Sequence, residues 1–216
     1  MLNWYFLKNE ALNEGYIYFD KNIRSLPKKA NGEINEKTEG LSNNDVDAFR
    51  HAYVSGRYVQ EYNDKAAKYL GYLREIVGNG YGSGGNNPNA EKNMDLWNNE
   101  VGRKYGEKAK TKEKLAKMLH DALNNGELII DLSDTRKYKG KTSYTIDSEK
   151  PVIVLEEKKS GRNEKFVDLI TGNIMTSEFF VEQIKLDKYP GYRVSVMDGI
   201  PTPMSKPDDT TDNNLG

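Results

Sequence analysis

Two stretches of the chain carry residues of the right type and spacing for chemistry: DAFRHAY at 47–53 and MDLWNNEVGRKYG at 94–106. In the first, Asp47 and His51 stand four apart and Asp47 and Arg50 three apart, so on a helix all three share one face. Val46, Phe49 and Tyr53 supply the apolar flank. Such a face offers two chemistries. A carboxylate beside an imidazole orients the ring and favours its charged form, which makes His51 a general acid or base with Asp47 behind it. Alternatively, imidazole and carboxylate are both metal ligands, and Arg50 is left to hold a phosphate or carboxylate substrate. A divalent metal fits these residue types but is not required by them.

In the second stretch Asp95, Asn98, Asn99 and Gly102 form a stripe beside the apolar series Met94, Trp97, Val101 and Tyr105. Asparagine is a poor helix-interior residue because its amide competes for backbone partners. Glycine there costs about 1 kcal/mol against alanine unless another element approaches closely. The combination points to a required geometry. Asn98 or Asn99, together with Arg50, would stabilise an oxyanion or a phosphate, and Asp95 would be a second carboxylate or a metal ligand. The architectural reading of the same residues is an Asp-Arg-His network anchoring one helix to its neighbours, with tight packing at Gly102 and asparagines bonded to nearby backbone. His120, the other histidine, lies between Leu119 and Asp121, at the edge of a surface helix.

The elements that must position these residues are mostly helical. Residues 3–25 read as a helix with Trp4, Leu7, Ala11 and Leu12 on one side. After a polar stretch, a second helix starts at Ser42 or Asn43, whose side chains can accept from first-turn amides, and runs to about Tyr62. Asp45 and Asp47 then lie near its positive end. A third follows over 64–77, burying Ala67, Leu70 and Leu73. GNGYGSGGNNPN at 78–89 has five glycines and one proline, lacks the GK[ST] ending of a phosphate loop, and reads as a loop that could gate a site.

Residues 90–106 return to helix. The helix at 112–125 is capped by Thr111, carries Leu115, Met118, Leu119, Ala122 and Leu123 as its buried stripe, and stops at Gly126. Beyond that the period changes. PVIVLEE, the turn SGRN at 160–163 and KFVDLI make a hairpin, SEFFVEQIKL a short helix, and YRVSVM at 192–197 a strand. The expected fold class is α+β. A motif-bearing helical part of about five helices over 1–130 precedes a small antiparallel β-containing part over 131–198, packed on it. An extended or disordered proline- and aspartate-rich tail covers 199–216.

Composition narrows the function classes. Thirty-two basic residues against 33 acidic ones leave no global field to recruit nucleic acid or an anionic membrane. The basic run TRKYKGKTSY at 135–144 reads as a solvated loop. With no cysteine, disulfide frameworks, thiolate metal sites and cysteine nucleophiles are excluded. No Gly-x-Ser-x-Gly elbow is present, against a serine lipase of that type. The first residues have neither the basic start nor the unbroken apolar run of a cleaved signal or a membrane span, so export would use another route.

DAFRHAY, followed by MDLWNNEVGR and then by L-x-x-x-L-x-x-A-L-x-x-G-E-L, resembles a bacterial domain family found at the C-termini of Rhs and other polymorphic toxins. The resemblance covers about residues 40–130, with a weak echo in the tail, and matches Asp47, Arg50, His51, Asp95, Asn98 and Asn99 to the family's motif positions. Relatives carry a further His-Glu pair between the motifs, where this chain has Arg74-Glu75. The resemblance implies an effector or toxin delivered by a specialised secretion system, with a delivery protein and a cognate immunity protein as partners. The resulting expectation is an antibacterial hydrolase acting on a cell-envelope or similar target. Its rival is a non-enzymatic binding or adaptor module in which both motifs are structural.

Overall fold

The computed structural model describes residues 4–36, 38, 40–77, 87–209 and 214–215. The chain is α+β. Its elements run α1 (Trp4–Asn22), α2 (Asp45–Glu61), α3 (Asp64–Val77), α4 (Pro88–Lys108) and α5 (Lys112–Asn124). They continue with β1 (Val152–Glu157), β2 (Asn163–Asp168), β3 (Ile174–Thr176), α6 (Ser177–Lys185), β4 (Tyr192–Met197) and β5 (Ile200–Ser205). It divides into two compact units, Leu7–Ser143 and Tyr144–Gly216, the second also taking in Met1–Phe6. Residues 131–143 group with the helices, and Asn93 is one of the side chains that tie them there. Its amide donates to the Arg136 carbonyl and accepts from the Tyr138 N–H, while the Arg136 guanidinium lies over the Trp97 ring.

The helical unit is organised around α2, which is buried along most of its length, its polar Asp47, His51, Ser55 and Arg57 included. Phe49 stacks on Tyr18 of α1 and on Tyr53, with Phe19 edge-on. The helix begins one or two residues later than the Ser42 or Asn43 capping signal suggests. Asn44 is the cap, accepting from the Asp47 N–H, and Asn43 sits before it in the left-handed region at φ 57°. Asparagine tolerates that conformation better than most residues. The amphipathic stripe of α5 buries Leu115, Ala116, Leu119 and Ala122; Thr111 caps it, and the Glu127 N–H closes the far end on the Ala122 carbonyl. In α3, Ala67 and Leu70 are buried. The side chains of Trp4, Leu73, Arg74 and Glu75, and most of the glycine-rich loop, lie outside the described residues.

Helices α2 and α4 run side by side in the same direction. Paired contacts advance together along both: Asn43 with Glu91, Ser55 with Asn99, and Gln60 with the Ala109 carbonyl. Gly102 explains how they come so close. A Cβ there would lie 2.0 Å from the Ala52 carbonyl oxygen, and one at Gly106 would lie 2.5 Å from that of Gly56. The helix-weakening glycine of the second motif is therefore required by backbone contact.

In the β-bearing unit, β1-β2-β3 form an antiparallel sheet and α6 covers it, with Val152, Phe166, Met175, Phe180, Ile184 and Tyr192 as the core. The Tyr192 hydroxyl accepts from the Val152 N–H and donates to its carbonyl, tying β4 to β1. The tail departs from expectation over residues 200–205, which pair with β4 as an antiparallel hairpin. Asp198 and Gly199 both have positive φ, as a two-residue hairpin turn demands. Pro201 and Pro203 oppose Val196 and Val194, and this parity turns their missing N–H positions away from the partner strand.

Candidate functional site

The parallel run of α2 and α4 brings the two motifs together. His51 Nε2 lies 3.3 Å from Asp95 Oδ1 and 3.5 Å from Asp47 Oδ1. Arg50 Nη2 donates to Asp47 Oδ1 and stands 3.3 Å from His51 Nε2. One ligand atom from each of Asp47, His51 and Asp95 falls within a span of 4.8 Å. Asp47 and His51 are nearly fully buried, whereas the side chains of Asp95 and Arg50 keep 14% and 17% exposure and form the solvent side of the cluster.

Local structure fixes the aim of each group. The second oxygen of Asp47 accepts the Asn43 N–H at 2.7 Å, which the left-handed conformation of Asn43 presents to it. Oδ1 is thereby left facing the cluster, the kind of outer support that sets the orientation of working carboxylates. The Asn43 amide also donates to Glu91, one turn before Asp95 on α4, so the two helix starts are joined. Burial alone would raise the Asp47 pKa, but the charges of Arg50 and His51, with the Arg50 and Asn43 hydrogen bonds, hold it below the usual carboxylate range. Burial likewise opposes the Arg50 charge, and the Asp47 carboxylate outweighs it, holding the guanidinium pKa above its ordinary value.

The asparagines are placed differently. Asn98 is fully buried, and its amide both donates to and accepts from the backbone of Ile129, at 2.8 and 2.9 Å. Both ends of its amide serve the loop after α5, away from the cluster. Asn99 accepts from Ser55 Oγ at 2.9 Å, one turn along both helices from the His51–Asp95 pair. His120 meets the edge of Tyr18 and stands outside the cluster.

Reasoning from sequence passed over Glu91, Ser55 and the orienting role of Asn43. A signal was available for the first two. Glu91, Asp95 and Asn99 are spaced at four residues on α4, and Ser55 repeats the spacing from His51 on α2. The part played by Asn43 depends on a backbone conformation with no comparable signature.

Fold and geometry define a helical domain with an imidazole–carboxylate–guanidinium cluster between two parallel helices. Within the chain, residues 21–127 match the family described as "Domain of unknown function (DUF6973)", and the matched segment spans both motifs. No curated protein and no solved structure matches the chain. Among the described residues, no helix is long and apolar enough to cross a membrane.

Proposed function

We propose that the helical unit is a hydrolase of the effector or toxin type, working through the cluster of Asp47, Arg50, His51 and Asp95. The observation that carries this reading is the meeting, at 3.3 Å, of His51 and Asp95 from motifs 44 residues apart on two helices, beside a carboxylate and a guanidinium. His51, flanked by Asp47 and Asp95, takes a proton from water as the water oxygen attacks the carbon or phosphorus of the scissile bond. As that bond breaks, the imidazolium returns the proton to the leaving group. Asp47 holds the ring and favours its charged form. Arg50, on the solvent side, meets the developing negative charge.

The toxin context rests on the likeness of the two motifs to C-terminal domains of polymorphic toxins. With it come delivery by a secretion system, a cell-envelope or similar target, and an immunity protein as partner. Producing the protein in bacterial cells, in the cytoplasm and with a periplasmic targeting signal, tests the reading. Growth should slow in one compartment, and His51→Ala should relieve this at an unchanged amount of folded protein. Equal toxicity of the two proteins removes His51 from the mechanism.

A second reading has its own support. The amides of Asn98 and Asn99 are engaged as helix and loop anchors, as expected of a binding module whose motifs are architectural. Growth unaffected in both compartments favours that reading.

A further inference from the structure

The least settled member of the cluster is Arg50. A guanidinium beside a carboxylate ordinarily docks by two parallel bonds, which satisfies several of its five donors. Here a single nitrogen, Nη2, makes the contact with Asp47, and the buried Nε has no hydrogen-bond partner among the described residues. Nη2 lies against Asp47 Oδ1 and His51 Nε2, two of the three atoms that converge with Asp95 Oδ1.

Those three atoms have the separations of a metal-binding face. Zinc takes imidazole nitrogen and carboxylate oxygen at about 2.0–2.2 Å in a tetrahedral arrangement, which sets neighbouring ligand atoms about 3.3–3.6 Å apart. The observed distances from His51 Nε2 are 3.3 Å to Asp95 and 3.5 Å to Asp47. One ligand atom from each of the three residues lies within 4.8 Å of the others, and Asp95 is the part-exposed member of the set. Imidazole in the set favours zinc and similar transition ions over magnesium or calcium, which prefer oxygen alone.

We infer that Asp47, His51 and Asp95 form a site for a zinc-like divalent cation, and that the Arg50 guanidinium is the internal cation that holds its place until the metal enters. Charge balance supports the exchange. Two carboxylates and a neutral imidazole leave two negative charges, which one dication neutralises once Arg50 has swung away. Asp47 Oδ2, held by the Asn43 amide, keeps Oδ1 aimed at the ion throughout. The displaced guanidinium, whose side chain keeps 17% exposure, would stand beside the ion's open position. That pairing suits a substrate with an anionic group, a phosphate or a carboxylate.

The inference rests on the cluster being the working site and not on the toxin reading. Within the hydrolase it would transfer the activation of water from His51 to the ion, with His51 becoming a ligand.

Calorimetric titration of the tag-free protein with Zn²⁺, beside thermal melts with and without the ion, tests it. The expected result is one ion per chain and a raised melting temperature. His51→Gln and Asp95→Asn should each weaken binding by about 10-fold or more. Arg50→Gln should bind about 10-fold more tightly than the wild-type chain, because the competing cation is gone. Absence of saturable binding, or binding indifferent to His51→Gln in a variant whose circular dichroism is native, overturns the site. Equal or weaker binding by a folded Arg50→Gln overturns the placeholder role. Zinc binding in a chain that never slows growth would uphold the site and count against the toxin reading alone.

Discussion

The two ends of the α2–α4 seam are built on opposite principles. Towards the C-terminal ends, Ala52 and Gly56 meet Gly102 and Gly106 with backbone against backbone and no room for a methyl group. Towards the N-terminal ends the gap is filled by Asp47, Arg50, His51 and Asp95. Backbone contact gains dispersion energy at little desolvation cost. Buried ionisable groups are costly to desolvate, and well-packed apolar side chains in their place are often neutral or stabilising. A seam needed only for cohesion would have no use for the polar end. The glycine end sets the distance between the helices, and the polar end exploits that distance.

The largest effect should come from closing the room at the glycine end. Gly102→Ala drives a Cβ into the Ala52 carbonyl, so the helices must part. A loss of about 3 kcal/mol or more is expected. At about 2–4 °C per kcal/mol for a chain of this size, the melting temperature should fall by roughly 10 °C. A melt within two or three degrees of the wild-type chain would mean the backbones are not in contact.

Asn98→Ala should come next. It strands the N–H and carbonyl of Ile129 and should cost about 1–3 kcal/mol, with any toxicity reduced only in proportion to the folded fraction. A toxicity loss far beyond the unfolding would return Asn98 to the chemistry. The Ser55–Asn99 bond is a smaller term. A double-mutant cycle through Ser55→Ala and Asn99→Ala should give a coupling of about 0.5–1.5 kcal/mol, and zero coupling would release Asn99 from its architectural role.

The pH dependence probes the polar end. The Asp47 pKa is depressed in the folded chain, so its contribution is fully present above the ordinary carboxylate value of about 4 and is lost as pH falls through the lower folded value. Melts below pH 4 should therefore drop less steeply for Asp47→Asn than for the wild-type chain. Parallel acid limbs would show that Asp47 titrates at the same pH folded and unfolded.

Legibility in the sequence followed the range of the interactions. The Thr111 cap and the left-handed Gly126 stop of α5 are local, and the structure reproduces them; of the stripe it buries Leu115, Leu119 and Ala122, leaves Met118 and Leu123 part-buried, and adds Ala116. The DAFRHAY spacing placed Asp47, Arg50 and His51 on one face because helix geometry alone decides that. The parallel course of α2 and α4 is a tertiary fact, so nothing in the spacing could distinguish an Asn98 turned to Ile129 from one turned to His51. The β5 hairpin was legible in principle through Asp198-Gly199. The two prolines masked it, since they exclude a strand only where their N–H would face the partner.

The claim that the polar end is a working site, not a fastening, is tested most directly by the melting temperature of Asp95→Asn measured beside Asn98→Ala. Asp95 keeps part of its surface in solvent and faces His51, while Asn98 is sealed against backbone. The prediction is a change of no more than about 1 kcal/mol, or about 2–4 °C, for Asp95→Asn, against a clear fall for Asn98→Ala. A fall for Asp95→Asn as large as that of Asn98→Ala would make the cluster part of the scaffold and contradict its assignment as a site.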